Sequence, residues 1–138
     1  MKKSLLQHLK NETYCRLAPS KVQGIGVFAI RDIPINTNPF QYAQTRCKNY
    51  NIILLSQKEV NRLPKYVQKM VNDFLKPNEM GMYPVPENGF NDLDITFYMN
   101  FSKNPNIDII DDGCDFFSFV TNRKIKKGEE LFINYEFL

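Results

Sequence analysis

Apolar residues along this chain fall into short runs divided by glycine, proline and asparagine, the pattern of a protein built from many brief strands. Residues 14–17 predict one such strand, turned by Pro19 and Ser20, and 27–30, led in by Gly24-Ile-Gly26, predict another. Arg31-Asp-Ile-Pro34-Ile-Asn36 reads as a turn, because Pro34 fixes φ and Asn36 tolerates positive φ. Residues 40–43, 52–55, 95–99, 107–110, 116–121 and 131–135 read as further strands. Asp111-Asp-Gly113 suits a tight hairpin turn, and Lys127-Gly128 the turn before the last strand. Residues 31–36 and 123–128 echo each other as strand-to-turn-to-strand links of equal spacing, explained by similar geometry rather than by duplication.

The period changes once. Ser56 and Glu59 fit a capping box, Pro64 can open a second helix, and Val67, Met70, Val71 and Phe74 recur at helical spacing until Pro77. A helix, a kink and a helix with one apolar face are expected over 56–76, the stripe being plain core packing. Residues 1–11, basic and partly apolar at Leu5, Leu6 and Leu9, predict a short helix or a loose arm. From 77 to 91, Pro77, Gly81, Pro84, Pro86 and Gly89 argue against regular structure, while Met80, Met82, Tyr83 and Phe90 argue for a loop packed down.

Strands without βαβ alternation predict a mostly β fold and argue against a Rossmann-type one. The Gly24-Ile-Gly26 pair also fails the dinucleotide pattern, since position 29 is Ala. At 138 residues the chain is one ordinary domain, and 43% hydrophobic with 24% charged residues is a globular balance. A net charge of +3 is no nucleic-acid signature, so direct nucleic-acid binding is not expected. Charge is uneven, however: Asp108, Asp111, Asp112 and Asp115 precede Arg123, Lys124, Lys126 and Lys127, as on two oppositely charged arms of a hairpin or as an acidic rim for a basic peptide. Cys15, Cys47 and Cys114 form no CxxC pair, so neither a thiolate metal site nor a disulfide framework is expected. With no signal-peptide pattern and no bilayer-length apolar run, an intracellular, soluble protein away from membranes is expected, in nucleus or cytoplasm.

Four segments, in order, resemble the SET domain family. Gly24-Ile-Gly26-Val-Phe-Ala with Arg31-Asp-Ile-Pro-Ile-Asn is similar to its opening strand and turn, Asn36 standing where the family usually has glycine. Gln41-Tyr42-Ala43 resembles an acidic-Tyr segment. Asn100-Phe101-Ser102-Lys-Asn-Pro105-Asn106 resembles the Asn-His-Ser segment followed by Pro-Asn. Residues 116–135, with Gly128-Glu129-Glu130-Leu and Tyr135, resemble its closing strand and turn and its Glu-Leu-x-x-x-Tyr ending. The resemblance spans about residue 14 to residue 135. It implies a SET-type fold of short-stranded sheets over 14–138 after an N-terminal arm at 1–13. It also implies a variable helical insertion at about 56–76 walling the substrate groove, and a pseudoknot in which the C-terminal segment threads beneath a loop to meet Asn100. The activity implied is S-adenosylmethionine-dependent methyl transfer to a lysine amine of a protein or peptide, a histone among the candidates. The alternative is a SET-fold module that binds peptide or cofactor without efficient catalysis. A third reading is an unrelated β-rich interaction domain that uses the 108–127 hairpin.

Such a transfer needs a neutral nucleophile, whereas a free lysine has a pKa of about 10.4. Desolvation near the cofactor's positive charge would lower it, and no metal is needed. The resemblance implies that Tyr135 is catalytic, its hydroxyl facing the reacting methyl. It implies cofactor contacts from Gly24, Ile25, Gly26, Asn100, Phe101 and Tyr135, and a substrate channel lined by Tyr42, Ile133 and Phe137. Phe101 replaces the family's common histidine and carries no side-chain N–H donor. Ile133 stands where many members have Phe or Tyr, a position that tunes how many methyl groups fit. The cysteine-rich segment that follows many SET domains has no counterpart after Glu136-Phe137-Leu138. Phe137 or a second subunit, as in a homodimer, would then supply the lid, or the site stays open and wetter.

Overall fold

A computed structural model describes residues 1–40, 51–110 and 118–137. The chain divides into two compact units, Asn49–Leu93 and the two flanking segments together.

In the flanking unit, helix α1 (Lys2–Asn11) leads to strands β1 (Cys15–Pro19) and β2 (Ile25–Ala29). After residue 93 come β5 (Asn100–Phe101), β6 (Ile107–Ile110), β7 (Ser118–Thr121) and β8 (Glu130–Ile133). β1, β2, β8 and β5 form one four-stranded sheet in that order, and β6 pairs with β7. β1–β2 and β2–β8 are antiparallel, with Val27 opposite Leu131 and Phe28 opposite Glu130. β5–β8 is parallel, with Asn100 opposite Phe132 and Phe101 opposite Ile133. Val27, Ala29, Ile33, Phe40, Met99, Ile107, Ile125, Leu131 and Ile133 form the buried apolar core. Phe40 meets Phe119 edge-on at 5.9 Å within it.

The echoed links face each other. Ile33 and Ile125 exchange backbone hydrogen bonds of 2.7 and 2.9 Å. On one side the Asn36 N–H donates to the Thr121 carbonyl (3.0 Å), and on the other the Gly128 N–H donates to the Ala29 carbonyl (2.8 Å). Asn36 (φ 62°) and Gly128 (φ 92°) occupy equivalent left-handed positions, where a Cβ is tolerated poorly and asparagine best among side chains. Thr121, buried, ties the two links together: its N–H donates to the Thr37 carbonyl (2.8 Å) and its hydroxyl to the Pro34 carbonyl (2.7 Å). The basic link is paired in part with local carboxylates. Arg123 pairs with Glu129 (3.1 Å), Lys124 with Asp32 (3.6 Å), and the Lys127 N–H donates to Asp32 (2.9 Å). Asp108 accepts from Asn122 instead (3.0 Å). The remaining aspartates of the acidic stretch, the Asp111-Asp-Gly113 turn, Tyr42, Cys47 and Cys114 lie outside the described residues.

The Asn49–Leu93 unit holds β3 (Ile52–Leu55), α2 (Gln57–Val60), α3 (Lys65–Phe74) and β4 (Tyr83–Pro86). The capping box is present, the Glu59 N–H donating to Ser56 Oγ (3.1 Å) and the Ser56 N–H to Glu59 Oε1 (3.0 Å). Gln68 closes the kink by donating to the carbonyl oxygens of Leu63 (2.7 Å) and Asn61 (3.1 Å). Val71 of the apolar stripe is buried, and Val67 and Phe74 are half-buried.

Three sequence expectations are corrected. Residues 83–86 form a strand despite two prolines. Pro84 and Pro86 are two residues apart, so their missing N–H groups fall on one edge, and β4 pairs with a single neighbour, β3. Residues 95–98 form a 3-10 turn rather than a strand, because the Asp94 carboxylate caps the Thr96 N–H (2.9 Å) and offers the backbone a local partner. The last strand ends at Ile133, and Tyr135–Phe137 is a 3-10 turn.

Candidate functional site

The loop from Ser20 to Gly24 is knit by its own first residue. The Ser20 N–H donates to the Gly24 carbonyl (2.8 Å), and the Ser20 hydroxyl accepts from the Val22 N–H (3.0 Å). Gly24 has φ +50°, and a Cβ there would meet nothing within 4 Å, so the backbone geometry rather than crowding calls for glycine. Gly26 differs. It is buried, and a Cβ there would overlap the Glu130 carboxylate and lie 3.2 Å from Asn100 Nδ2.

Glu130 is thus the centre of a small polar cluster. Its carboxylate accepts from the Ser20 hydroxyl (2.8 and 3.0 Å to its two oxygens) and from Asn100 Nδ2 (2.9 Å). Asn100 Nδ2 also donates toward the carbonyls of Gln23 (3.1 Å) and Ile25 (3.4 Å), on either side of Gly24. A carboxylate and two carbonyls only accept, so they select the amide orientation with NH2 inward. Asn100 Oδ1 faces away from them and takes no hydrogen bond among the described residues.

The next residue of β5 begins a second feature. The Phe101 and Tyr135 rings lie 5.4 Å apart at 54°, a tilted aromatic pair. Parallel pairing of β5 with β8 and the Ser102 N–H to Ile133 carbonyl bond (2.9 Å) hold them together. Below, the Asn106 side chain is 1% exposed and bonds β8 twice, donating to the Glu130 carbonyl (2.9 Å) and accepting from the Phe132 N–H (2.8 Å).

Of the residues expected at the site, Gly24, Ile25, Gly26 and Asn100 come together in one cluster, and Phe101 and Tyr135 in the adjoining ring pair. Ile25 is 51% exposed and Tyr135 41%. Ile133 sits in the buried core. Tyr42 and the Phe137 side chain lie outside the described residues. An open recess lined by Pro105, Ile107, Asp108, Val120 and Asn134 lies beside β6 and contains none of the expected site residues. Cys15 is not a nucleophile candidate, since burial pushes its thiol up to about 12. No site role follows from the sequence for Glu130, Ser20 or Asn106, although Asn106 stands in the quoted Pro-Asn pair and Ser20 in the predicted turn. Glu130 stood inside the quoted Glu-Leu ending, but its partner Ser20 is 110 residues away and no periodicity links them.

Comparison with known proteins bears on the family and the fold. A SET domain family model matches residues 24–136. Histone-lysine N-methyltransferase 2D of Homo sapiens is 28% identical over 137 residues, covering 93% of this chain, and the Mus musculus protein of the same name gives the same values. The chain spans 2% of the length of these relatives. A crystal structure of a Plasmodium falciparum protein, provisionally designated a histone methyltransferase, superimposes with a TM-score of 0.52 at 17% identity, covering 89% of this chain and 93% of that one.

Proposed function

The chain belongs to the SET domain family, and from that premise we propose that it transfers a methyl group from S-adenosylmethionine to a lysine side chain of a protein, a histone tail being the first candidate. The observation that carries the proposal is the junction on β5, where Asn100, held against the Gly24–Gly26 turn, adjoins Phe101, whose ring is tilted against that of Tyr135. The residues fit the cofactor. An amide oxygen without a partner among the described residues, exposed backbone around Gly24 and two aromatic rings suit a sulfonium cation that carries an amino-acid group and an adenosine. When bound, S-adenosylmethionine supplies a sulfonium methyl that passes to the lone pair of a neutral amine, the S–C electrons remaining on sulfur.

The protein's part is alignment and desolvation. Gly24, Ile25 and Gly26 would offer backbone to the cofactor, and Asn100 its amide oxygen. Phe101 would contribute main chain, its ring serving to hold Tyr135. The Tyr135 hydroxyl would orient the incoming amine, and Tyr42, Ile133 and Phe137 are proposed to line its channel. Residues 14–138 are proposed as the domain proper, with 56–76 as its insertion. The parallel β5–β8 pairing and the Asn106 bonds to β8 support the pseudoknotted threading that the family implies.

One observation favours a second reading. Tyr135 is 41% exposed, and a wet site keeps lysine protonated, as a binding module with weak catalysis would allow. Incubation with methyl-labelled S-adenosylmethionine and a histone mixture separates the two. The enzyme reading expects label on lysine, reduced about a hundredfold or more by Tyr135→Phe, the order of effect of losing one group that orients the reacting atoms. Cofactor binding without transfer to any protein would favour the module.

A further inference from the structure

We infer that Glu130 is the positioning residue of the cofactor site, acting through Asn100 and the Ser20–Gly24 loop rather than on the ligand. The inference rests on the methyl-transfer reading above. An isolated asparagine amide can present either end to a ligand. Here three acceptors admit only the NH2 end of Asn100, and the Glu130 carboxylate makes the shortest of the three contacts (2.9 Å) and the charged one. The same carboxylate receives the hydroxyl of Ser20, the residue whose N–H and Oγ close the loop onto Gly24 and Val22. It also fills the space that any side chain at position 26 would need. One charged group therefore bears on three things together: which atom Asn100 turns outward, the placement of the glycine loop, and the space at residue 26. Charge-assisted bonds of this kind are roughly twice as strong as neutral ones, which suits a group that must hold two others in place. Both of its oxygens lie within hydrogen-bond distance of Ser20 Oγ, and one also accepts from Asn100.

Glu130→Gln keeps the shape and removes the charge-assisted contact, leaving the Gln23 and Ile25 carbonyls alone to hold the Asn100 NH2 inward. Calorimetric titration with S-adenosylmethionine, alongside thermal melting, tests this on the whole chain. The expected result is binding weakened roughly tenfold, the scale of one charge-assisted bond. The double variant Asn100→Ala/Glu130→Gln should lose less than the product of the two single losses, because part of the effect of Glu130 runs through Asn100. Binding by Glu130→Gln within twofold of the unaltered chain, or losses that simply multiply in the double variant, would overturn the inference while leaving methyl transfer standing. No binding by the unaltered chain would overturn both. If Glu130→Gln does not fold, Ser20→Ala carries the test, since it loosens the carboxylate without removing it: weaker binding supports the inference and unchanged binding overturns it.

Discussion

Two asparagines, six residues apart on one segment, face the same strand and do opposite things. Asn106 is buried and spends both ends of its amide on the backbone of β8, standing in for a missing strand neighbour. Asn100 is half-buried, spends only its NH2, and leaves an oxygen turned outward beside an exposed glycine loop. The first has nothing left to offer a ligand, and the second is held open at one end. Residue type does not separate frame from site here. What separates them is whether the local partners can satisfy the whole amide.

The contrast breaks most easily at Asn106. Asn106→Ala strands a buried carbonyl and a buried N–H on β8, and is expected to lower stability by about 2–5 kcal/mol in denaturant titration. Asn100→Ala should lower it by no more than about 1 kcal/mol, because its partners remain near water. Equal losses would mean that both asparagines are frame. Next in size, Gly26→Ala forces a methyl group into the Glu130 carboxylate and should cost about 1–3 kcal/mol. Most of that loss should vanish in a Glu130→Ala background, and a fully additive pair would show that the carboxylate is not what crowds position 26.

Smaller effects sharpen the frame at the turn that feeds β8. Gly128→Ala should lose about 1 kcal/mol because its φ is +92°, while the equivalent Asn36→Gly, already at a residue that tolerates the conformation, should change stability by only a few tenths of a kcal/mol. The smallest change is with pH. The Lys127 N–H, then Lys124 and Lys126, hold the Asp32 carboxyl below its ordinary range, and the Lys126 N–H with Arg123 does the same for Glu129. A lowered folded-state pKa stabilises the fold above the unfolded value, and that contribution is lost as pH falls through the folded one. Melting temperature should therefore drop on acidification below the ordinary carboxylate range, and Asp32→Asn should flatten part of that drop.

Much of the frame was legible because its signals are local. The Ser56–Glu59 box lies within one turn of helix, β6 is a compact β-prone run, and Asn36 and Gly128 announce their φ by residue type. Local reasoning failed where a neighbour overrode propensity. The Asp94 carboxylate bends the β-prone run at 95–98, and an edge pairing makes a strand of a proline-rich stretch. The site was legible only through family resemblance, which brought Gly24, Ile25, Gly26, Asn100, Phe101 and Tyr135 onto one short list. Glu130 was invisible because its meaning comes from Ser20 and Asn100, remote in the chain and adjacent only once β2, β5 and β8 share a sheet.

The most direct measurement is a calorimetric titration of S-adenosylmethionine into the unaltered chain and into Asn100→Ala, with the melting temperature of each recorded. The account predicts saturable one-to-one binding by the first and roughly tenfold or weaker binding by the second, at nearly the same melting temperature. Equal affinity in the two proteins, or no uptake by the unaltered chain, would contradict it.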